Sequence, residues 1–403
     1  MGIRGGSWNN ESSNLRVSDR NNASWTNTNR NNNVGFRAVR TFLKNWRRLF
    51  RSGEVKTYKG LFEKIVSFEN LLRAAKLAQR GKRMKIDVAK FNFGLESELL
   101  RLQDELKAQT YKPGNYRHFY VNDPKRRLIS AAPYRDRIVH HAFCNIVDPI
   151  FDKTFICHSY ACRLNKGTHR ALDKCQSFIR ANQYVLQCDI SKYFFSINHQ
   201  ILLSIIVRKI KDKEVVRLTE LIINSGANST RGIPIGNLTS QFFANLYLNE
   251  LDYFVKFDLK ERYYLRYMDD FLIFGNDKKH LHKIKEEVRD FLGENLRLDL
   301  HLKKSIVYPV KSGVDFCGFR IFKDYRRLRK TNVRLFTKRM RKLRGLFRQG
   351  RIEMKDISHS LRCWIAHASY GNTYNLRKKM LEKLVFKASN DVSACNLRSF
   401  ISD

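Results

Sequence analysis

Asp269 and Asp270 stand side by side in the middle of Tyr263 to Phe274, YYLRYMDDFLIF. Their neighbours are aromatic, β-branched or long and apolar, the composition of a strand. Two ionised carboxylates in such a run lose their hydration and regain little from an apolar core, so a cation is the partner that makes them tolerable. A solvent-exposed hairpin tip would require Asn-Gly or Asp-Gly at the turn, whereas the flanks here are Met268 and Phe271. The reading is a tight hairpin that holds two acids against a divalent metal. Asp189 is the next candidate, because it closes an apolar strand in QYVLQCDISKYFFSI, Gln183 to Ile197. Alone it could be a helix or turn cap; a sheet pairing its strand with the hairpin would bring it to the other two acids. Magnesium takes carboxylate and phosphate oxygens, and two such ions about 4 Å apart serve an in-line phosphoryl displacement. Three carboxylates on two adjacent strands meet that requirement and point to nucleotidyl transfer.

The charge balance fits a polyanionic substrate. The chain has 77 Lys and Arg against 38 Asp and Glu, a formal net charge of +39, and basic side chains that neutralise phosphates release condensed counterions. With 403 residues, 43% of them hydrophobic, it is long enough for two or three domains and is not a disordered protein. No stretch approaches the roughly 20 consecutive apolar residues of a membrane-spanning helix. The polar, Asn-rich start excludes a signal peptide. Eight cysteines without paired CxxC spacing read as reduced thiols of a cytoplasmic protein; Cys157, Cys162 and His169 are the one set that could ligate zinc.

The elements that must position these residues follow from periodicity and breakers. Tyr58 to Ala108 is helical and ends at Lys112-Pro113-Gly114. Phe119 to Phe143 reads as a strand, a Pro-containing turn, a basic strand and a helix after Pro133, with Lys125, Arg126 and Arg127 at the turn. A helix follows from about Asn198 to Ile210. A Gly and Pro loop from Gly226 leads to a helix capped near Asn237 or Thr239, with Phe242, Phe243, Leu246 and Tyr247 inward. That loop lacks Gly-Lys-Ser/Thr and is no P-loop. His280 to Leu292 is an amphipathic helix, Leu298 to Val310 and Val314 to Phe322 are strands, and Tyr325 to Arg351 and Met354 to Phe386 are helical, the former strongly basic. The class is mixed α/β.

Tyr267-Met268-Asp269-Asp270 resembles the catalytic box of reverse transcriptases, and it arrives with other boxes in order between about 60 and 325. Leu186 to Phe195 resembles the first catalytic strand, and Arg127 to Arg137 and Ser159 to Ala171 resemble finger motifs of retrons and group II introns. Lys304-Ser305 resembles the palm lysine, and Phe316-Cys317-Gly318-Phe319 the primer grip. The resemblance implies a right-hand polymerase: fingers and antiparallel-sheet palm over 58–325, and a short basic helical thumb over 326–403. On this reading the expectation is that no ribonuclease H, endonuclease or maturase domain follows the thumb. It further implies that Asp189, Asp269 and Asp270, with the carbonyl of Ile190, hold two Mg2+ ions, and that Lys125, Arg126 and Arg127 grip the triphosphate. Phe194 would be the aromatic gate against a 2′ hydroxyl, and Lys304, or alternatively Lys303, the proton donor to pyrophosphate.

One departure narrows the family. Where most reverse transcriptases carry Gln-Gly, this chain has Ile235-Gly236-Asn237-Leu238-Thr239-Ser240-Gln241, similar to the reverse transcriptases of diversity-generating retroelements. An apolar Ile235 in place of an amide beside the incoming nucleotide removes a hydrogen-bond check on base-pair geometry, with Gly236 and Gln241 in the same nucleotide-binding loop. The resemblance implies errors at template adenines, mutagenic retrohoming from a template-repeat RNA into cDNA, and a pentameric accessory variability determinant as partner. Residues 1–40, with RGGSWNN and NRNNNVGFRAVR, resemble the variable end of the diversified lectin-type proteins and read as a translated, disordered template repeat, with a linker over 41–57. The alternatives are a retron or group II intron type enzyme of ordinary fidelity and a non-catalytic RNA-binding scaffold of polymerase fold.

Overall fold

The computed structural model describes residues 56–122, 126–226, 230–386 and 395–396. The Asn-rich segment 1–40, all but the last two residues of the linker, and Lys125 lie outside them. In chain order the helices are α1 Phe62–Val66, α2 Phe68–Ala78, α3 Ile86–Phe93, α4 Leu95–Lys107, α5 Tyr134–Asp152, α6 Thr168–Ala181, α7 Tyr193–Ser196, α8 His199–Lys209, α9 Lys213–Asn224, α10 Leu238–Tyr253, α11 Lys278–Phe291, α12 Lys330–Arg348, α13 Met354–Ala368 and α14 Tyr374–Glu382. The strands are β1 Arg117–Asn122, β2 Arg126–Ala131, β3 Tyr184–Cys188, β4 Tyr264–Tyr267, β5 Asp270–Gly275, β6 Ile306–Pro309, β7 Val314–Phe316, β8 Phe319–Ile321, β9 Arg326–Leu328, β10 Val385–Phe386 and β11 Cys395–Asn396. The chain is thus mixed α/β, mostly helical with small antiparallel sheets. No helix among the described residues is long and apolar enough to cross a membrane.

One compact unit comprises the described residues up to Gly167, together with those of Asp189–Arg262 and Ile284–Lys304. Its centre is α10, apolar on nearly every side and therefore buried rather than amphipathic. Phe242 and Phe243 of α10 meet Phe143 of α5 edge-on, at centroid distances of 6.3 and 6.0 Å. Asp212 caps α9 by accepting from the backbone N–H groups of Glu214 and Val215 and ties α1 to it through those of Leu61 and Phe62, at 2.8 and 3.0 Å. The β1–β2 hairpin belongs to this unit.

The other unit comprises Thr168–Cys188, Tyr263–Lys283 and the described residues from Ser305 onward. A four-stranded antiparallel sheet of order β4-β5-β3-β6 is its framework. Helix α6 covers it through Phe178, edge-on to Tyr263 at 5.3 Å and to Phe274 at 5.8 Å. A β7-β8-β9 sheet follows, then α12 to α14 around Phe336, Met340, Ile357, Leu361 and Leu381, with Trp364 stacked on Phe336 at 3.9 Å.

Three expected strands are shorter than their hydrophobic runs. Gln183 to Ile197 is a strand only to Cys188, because Lys192 turns left-handed (φ 45°) and starts α7. Leu298 to Val310 pairs as a strand only from Ile306, its first half meeting the chain in an isolated bridge, Leu300 opposite Ile190. Val314 to Phe322 is two strands joined at Cys317-Gly318, both with positive φ. In each case a local backbone reversal ends a run that alternation alone would continue.

Helices α5 and α10, with Phe155 and Cys162, line a small pocket that includes Cys144, Asp148 and Gln241. Burial, then the negative charge of Asp152, raises the Asp148 carboxyl to about 6. Its folded value lies above the unfolded one, near 3.9, so the native state holds an extra proton between them and stability falls as pH rises from about 4 to 6. Asp148→Asn is expected to raise stability at pH 7.5 by about 1–2 kcal/mol and to change it little at pH 4, measured by urea unfolding at the two pH values.

Candidate active site

Tyr267 and Asp270 are the last paired residues of the β4–β5 hairpin, leaving Met268 and Asp269 as a two-residue turn. Met268 takes a left-handed φ of 58° without being glycine, a conformation that an outside constraint must hold. The fully buried Arg266 supplies one: its Nη1 donates to the Met268 carbonyl at 3.0 Å. A guanidinium keeps its charge even when buried, so the hairpin carries a permanent cation close in sequence to two half-buried acids. Tyr267 places its hydroxyl 3.1 Å from Thr168 Oγ1 and its ring edge-on to Phe316, at 6.3 Å. Burial, and after it the negative charge of Asp270, pushes the Cys317 thiol well above its usual range, which keeps it protonated.

Asp189 is the residue after β3. In the register of the sheet Cys188 lies opposite Phe271, so Asp189 follows, and Asp270 precedes, the same rung. The segment around Leu300 runs beside Asp189: His301 N–H donates to the Asp189 carbonyl, and Ser191 N–H to the Asp299 carbonyl, both at 2.8 Å. Lys304 N–H then donates to the His301 carbonyl at 3.0 Å, and this turn carries the Lys304 ammonium onto the Asp189 carboxylate, with which it forms an ion pair. The Asp189 side chain is 14% exposed and that of Lys304 45%. Ile190 has its side chain buried, and Lys303 is exposed.

Among the described residues no three His, Cys, Asp or Glu side chains converge to hold a metal ion. That covers the three aspartates and also Cys157, Cys162 and His169, the last stacked on Tyr370 at 3.8 Å. The donor chemistry nonetheless fits magnesium, since carboxylate oxygens are its preferred protein ligands. Asp189 already attracts a cation, the ammonium of Lys304.

The remaining candidates gather on the loop before α10. Ser130 N–H of β2 donates to the Ile235 carbonyl at 2.9 Å. A Cβ on Gly236 (φ 124°) would lie 2.9 Å from Ile129 Cγ2 and 3.3 Å from the Ser130 carbonyl, so only glycine fits between loop and strand. Ile233 N–H donates to the Phe194 carbonyl at 2.8 Å. Gly232 (φ 91°) approaches the Phe195 backbone so closely that a Cβ would meet its carbonyl at 3.2 Å, and His199 Nε2 bonds the Gly232 carbonyl at 2.7 Å. Gln241 is placed differently, lining the α5–α10 pocket. Sequence reasoning passed over Arg266, Gly232 and His199; a lone Arg inside an apolar strand was the visible signal for the first.

Strand alternation divides the basic pair. Arg127 shares a face of β2 with Ile129, the side chain that meets Gly236. Arg126 is on the opposite face, its guanidinium 3.9 Å from the centre of the Tyr120 ring. Only Arg127 is on the side that packs toward the loop. Arg127→Ala is therefore expected to weaken nucleoside triphosphate binding about tenfold or more, and Arg126→Ala no more than about threefold, compared by titration calorimetry.

Residues 113–321 match the family model described as reverse transcriptase (RNA-dependent DNA polymerase). The chain is similar to Protein YkfC of Escherichia coli, 27% identical over 57% of this chain and 72% of that protein. It is similar to the group II intron-encoded protein LtrA of Lactococcus lactis, 26% identical over 52% of this chain, and to the putative COX1/OXI3 intron 2 protein of Saccharomyces cerevisiae, 23% identical over 56%. It spans about a third of the length of each of these two intron proteins. The matched region includes β3, the β4–β5 hairpin with its Met268–Asp269 turn and the loop before α10, and with just over half its length in that match the chain belongs to the reverse transcriptase family.

Proposed function

We propose that this protein is the RNA-directed DNA polymerase of a diversity-generating retroelement, copying a template-repeat RNA into cDNA with errors at adenine. The observation that carries the polymerase reading is the register that puts Asp189 and Asp270 next to one rung of a sheet whose turn residue is Asp269. In this reading Asp189, Asp269 and Asp270, with the Ile190 carbonyl, hold two magnesium ions. Bound magnesium would activate the primer 3′ hydroxyl and neutralise the leaving pyrophosphate. Lys304, paired with Asp189 before substrate enters, gives a proton to the departing pyrophosphate oxygen. Arg127, with Lys125, holds the triphosphate, and Phe194 bars a 2′ hydroxyl. Fingers and palm span 58–325, and α12 to α14 form the thumb, where α12 carries Lys and Arg but no Asp or Glu and suits a phosphate backbone.

The retroelement reading rests on Ile235 to Gln241. Ile235 is half-buried and its carbonyl is engaged by Ser130, so it offers an apolar side chain where an amide would test base-pair geometry. An accessory variability determinant and the translated template repeat at 1–40 belong to the same proposal. The names of the intron-encoded relatives favour a second reading, a group II intron type enzyme of ordinary fidelity.

Primer extension on an RNA template separates these readings. Asp269→Ala with Asp270→Ala is expected to lower incorporation at least about 1,000-fold, and equal incorporation would make the protein a scaffold. Sequenced products of the wild type should carry errors concentrated opposite adenine, reduced several-fold by Ile235→Gln; a uniform, low error rate would favour the intron-type enzyme.

A further inference from the structure

Helix α3 and the turn before it present apolar side chains outward. Met84, Ile86 and Phe93 are 95%, 74% and 98% exposed. On the helix Ile86, Lys90 and Phe93 recur at i, i+4 and i+7 and share one face. The other face has its own apolar contacts: Val88 is fully buried, and Phe91 meets Tyr134 edge-on at 5.2 Å. The fold therefore does not need the outer residues for its core, although exposing them costs hydrophobic free energy.

Their surroundings select the occupant. Arg80, Lys82, Arg83, Lys85 and Lys90 lie in and beside the stripe, and Asp87, the acid among them, reaches Arg137 at 3.6 Å. Such a field attracts a polyanion and repels a basic protein. A duplex would meet the charges but hide its bases. Unpaired bases can stack on an aromatic ring while the backbone follows the cations, as single strands do on other stacking platforms.

We infer that the Lys82 to Phe93 surface is a binding site for single-stranded RNA. A base stacks on Phe93, Ile86 and Met84 pack against the neighbouring nucleotide, and Arg83, Lys85 and Lys90 neutralise its phosphates. The inference rests on the polymerase reading only in naming RNA as the strand, and its test involves no catalysis, so the two can fail separately.

The test is fluorescence anisotropy of the full chain with a labelled oligouridine and with an abasic ribose-phosphate strand of equal length, in the presence of saturating primer–template duplex. Phe93→Ala is expected to weaken oligouridine binding about 5- to 100-fold and to leave the abasic strand unaffected. Replacing Arg83, Lys85 and Lys90 by Gln should weaken both and reduce the salt dependence by about two charges. Because Phe93 is 98% exposed, its loss should not shift the melting temperature. Unchanged oligouridine affinity in Phe93→Ala, the result expected of a protein-docking face, overturns the inference, as does an equal loss on both strands.

Discussion

The antiparallel pairing of β3 with β5 is the constraint on which the candidate site depends. Val185, Leu186 and Cys188 on one strand and the consecutive residues Phe271 to Phe274 on the other are buried, so the pairing is packed on both faces. The steric fit of those side chains, together with the ladder hydrogen bonds, holds Cys188 opposite Phe271. With that rung set, the acids at the strand ends have no freedom to move along the sheet. The apolar residues thus determine where the carboxylates stand.

Acids held at the edge of an apolar sheet need compensation, and the chain supplies it from within. Arg266 is buried in the strand before the Asp pair and bonds the turn carbonyl. Lys304 arrives on Asp189 by a short run of backbone hydrogen bonds through His301. Lys304 lies far in sequence from the acid it pairs with, as the cost of leaving ionised oxygens unpaired demands, whereas Arg266 holds the turn itself through the Met268 carbonyl.

The loop before α10 shows a second use of backbone geometry. Gly232 and Gly236 both take a positive φ, and a Cβ would crowd the Phe195 backbone at the first and overlap Ile129 at the second; their close approach stitches the β1–β2 hairpin and α7 to one loop. The alternation of β2 then distinguishes two adjacent arginines that look equivalent as text. Arg126 spends its guanidinium on Tyr120, while Arg127 keeps the side of Ile129.

Much of this was legible in the residues themselves. The YMDD hairpin, the strand ending at Asp189, the basic hairpin and the helix after Asn237 follow from residue type and local period, because apolar runs, breakers and caps act within a few residues; the family was legible only as a resemblance carried by motifs in order. Strand lengths after Cys188 and before Ile306 were overread, because the left-handed turn at Lys192 and the bridge at Leu300 depend on distant packing. The choice of Lys304 as the partner of Asp189, the opposite faces of Arg126 and Arg127 and the place of Gln241 beside the α5–α10 pocket were decided only by the tertiary structure. Those are relations between side chains far apart in sequence or on opposite faces of one strand, and hydrogen-bond register and steric fit set them, not composition.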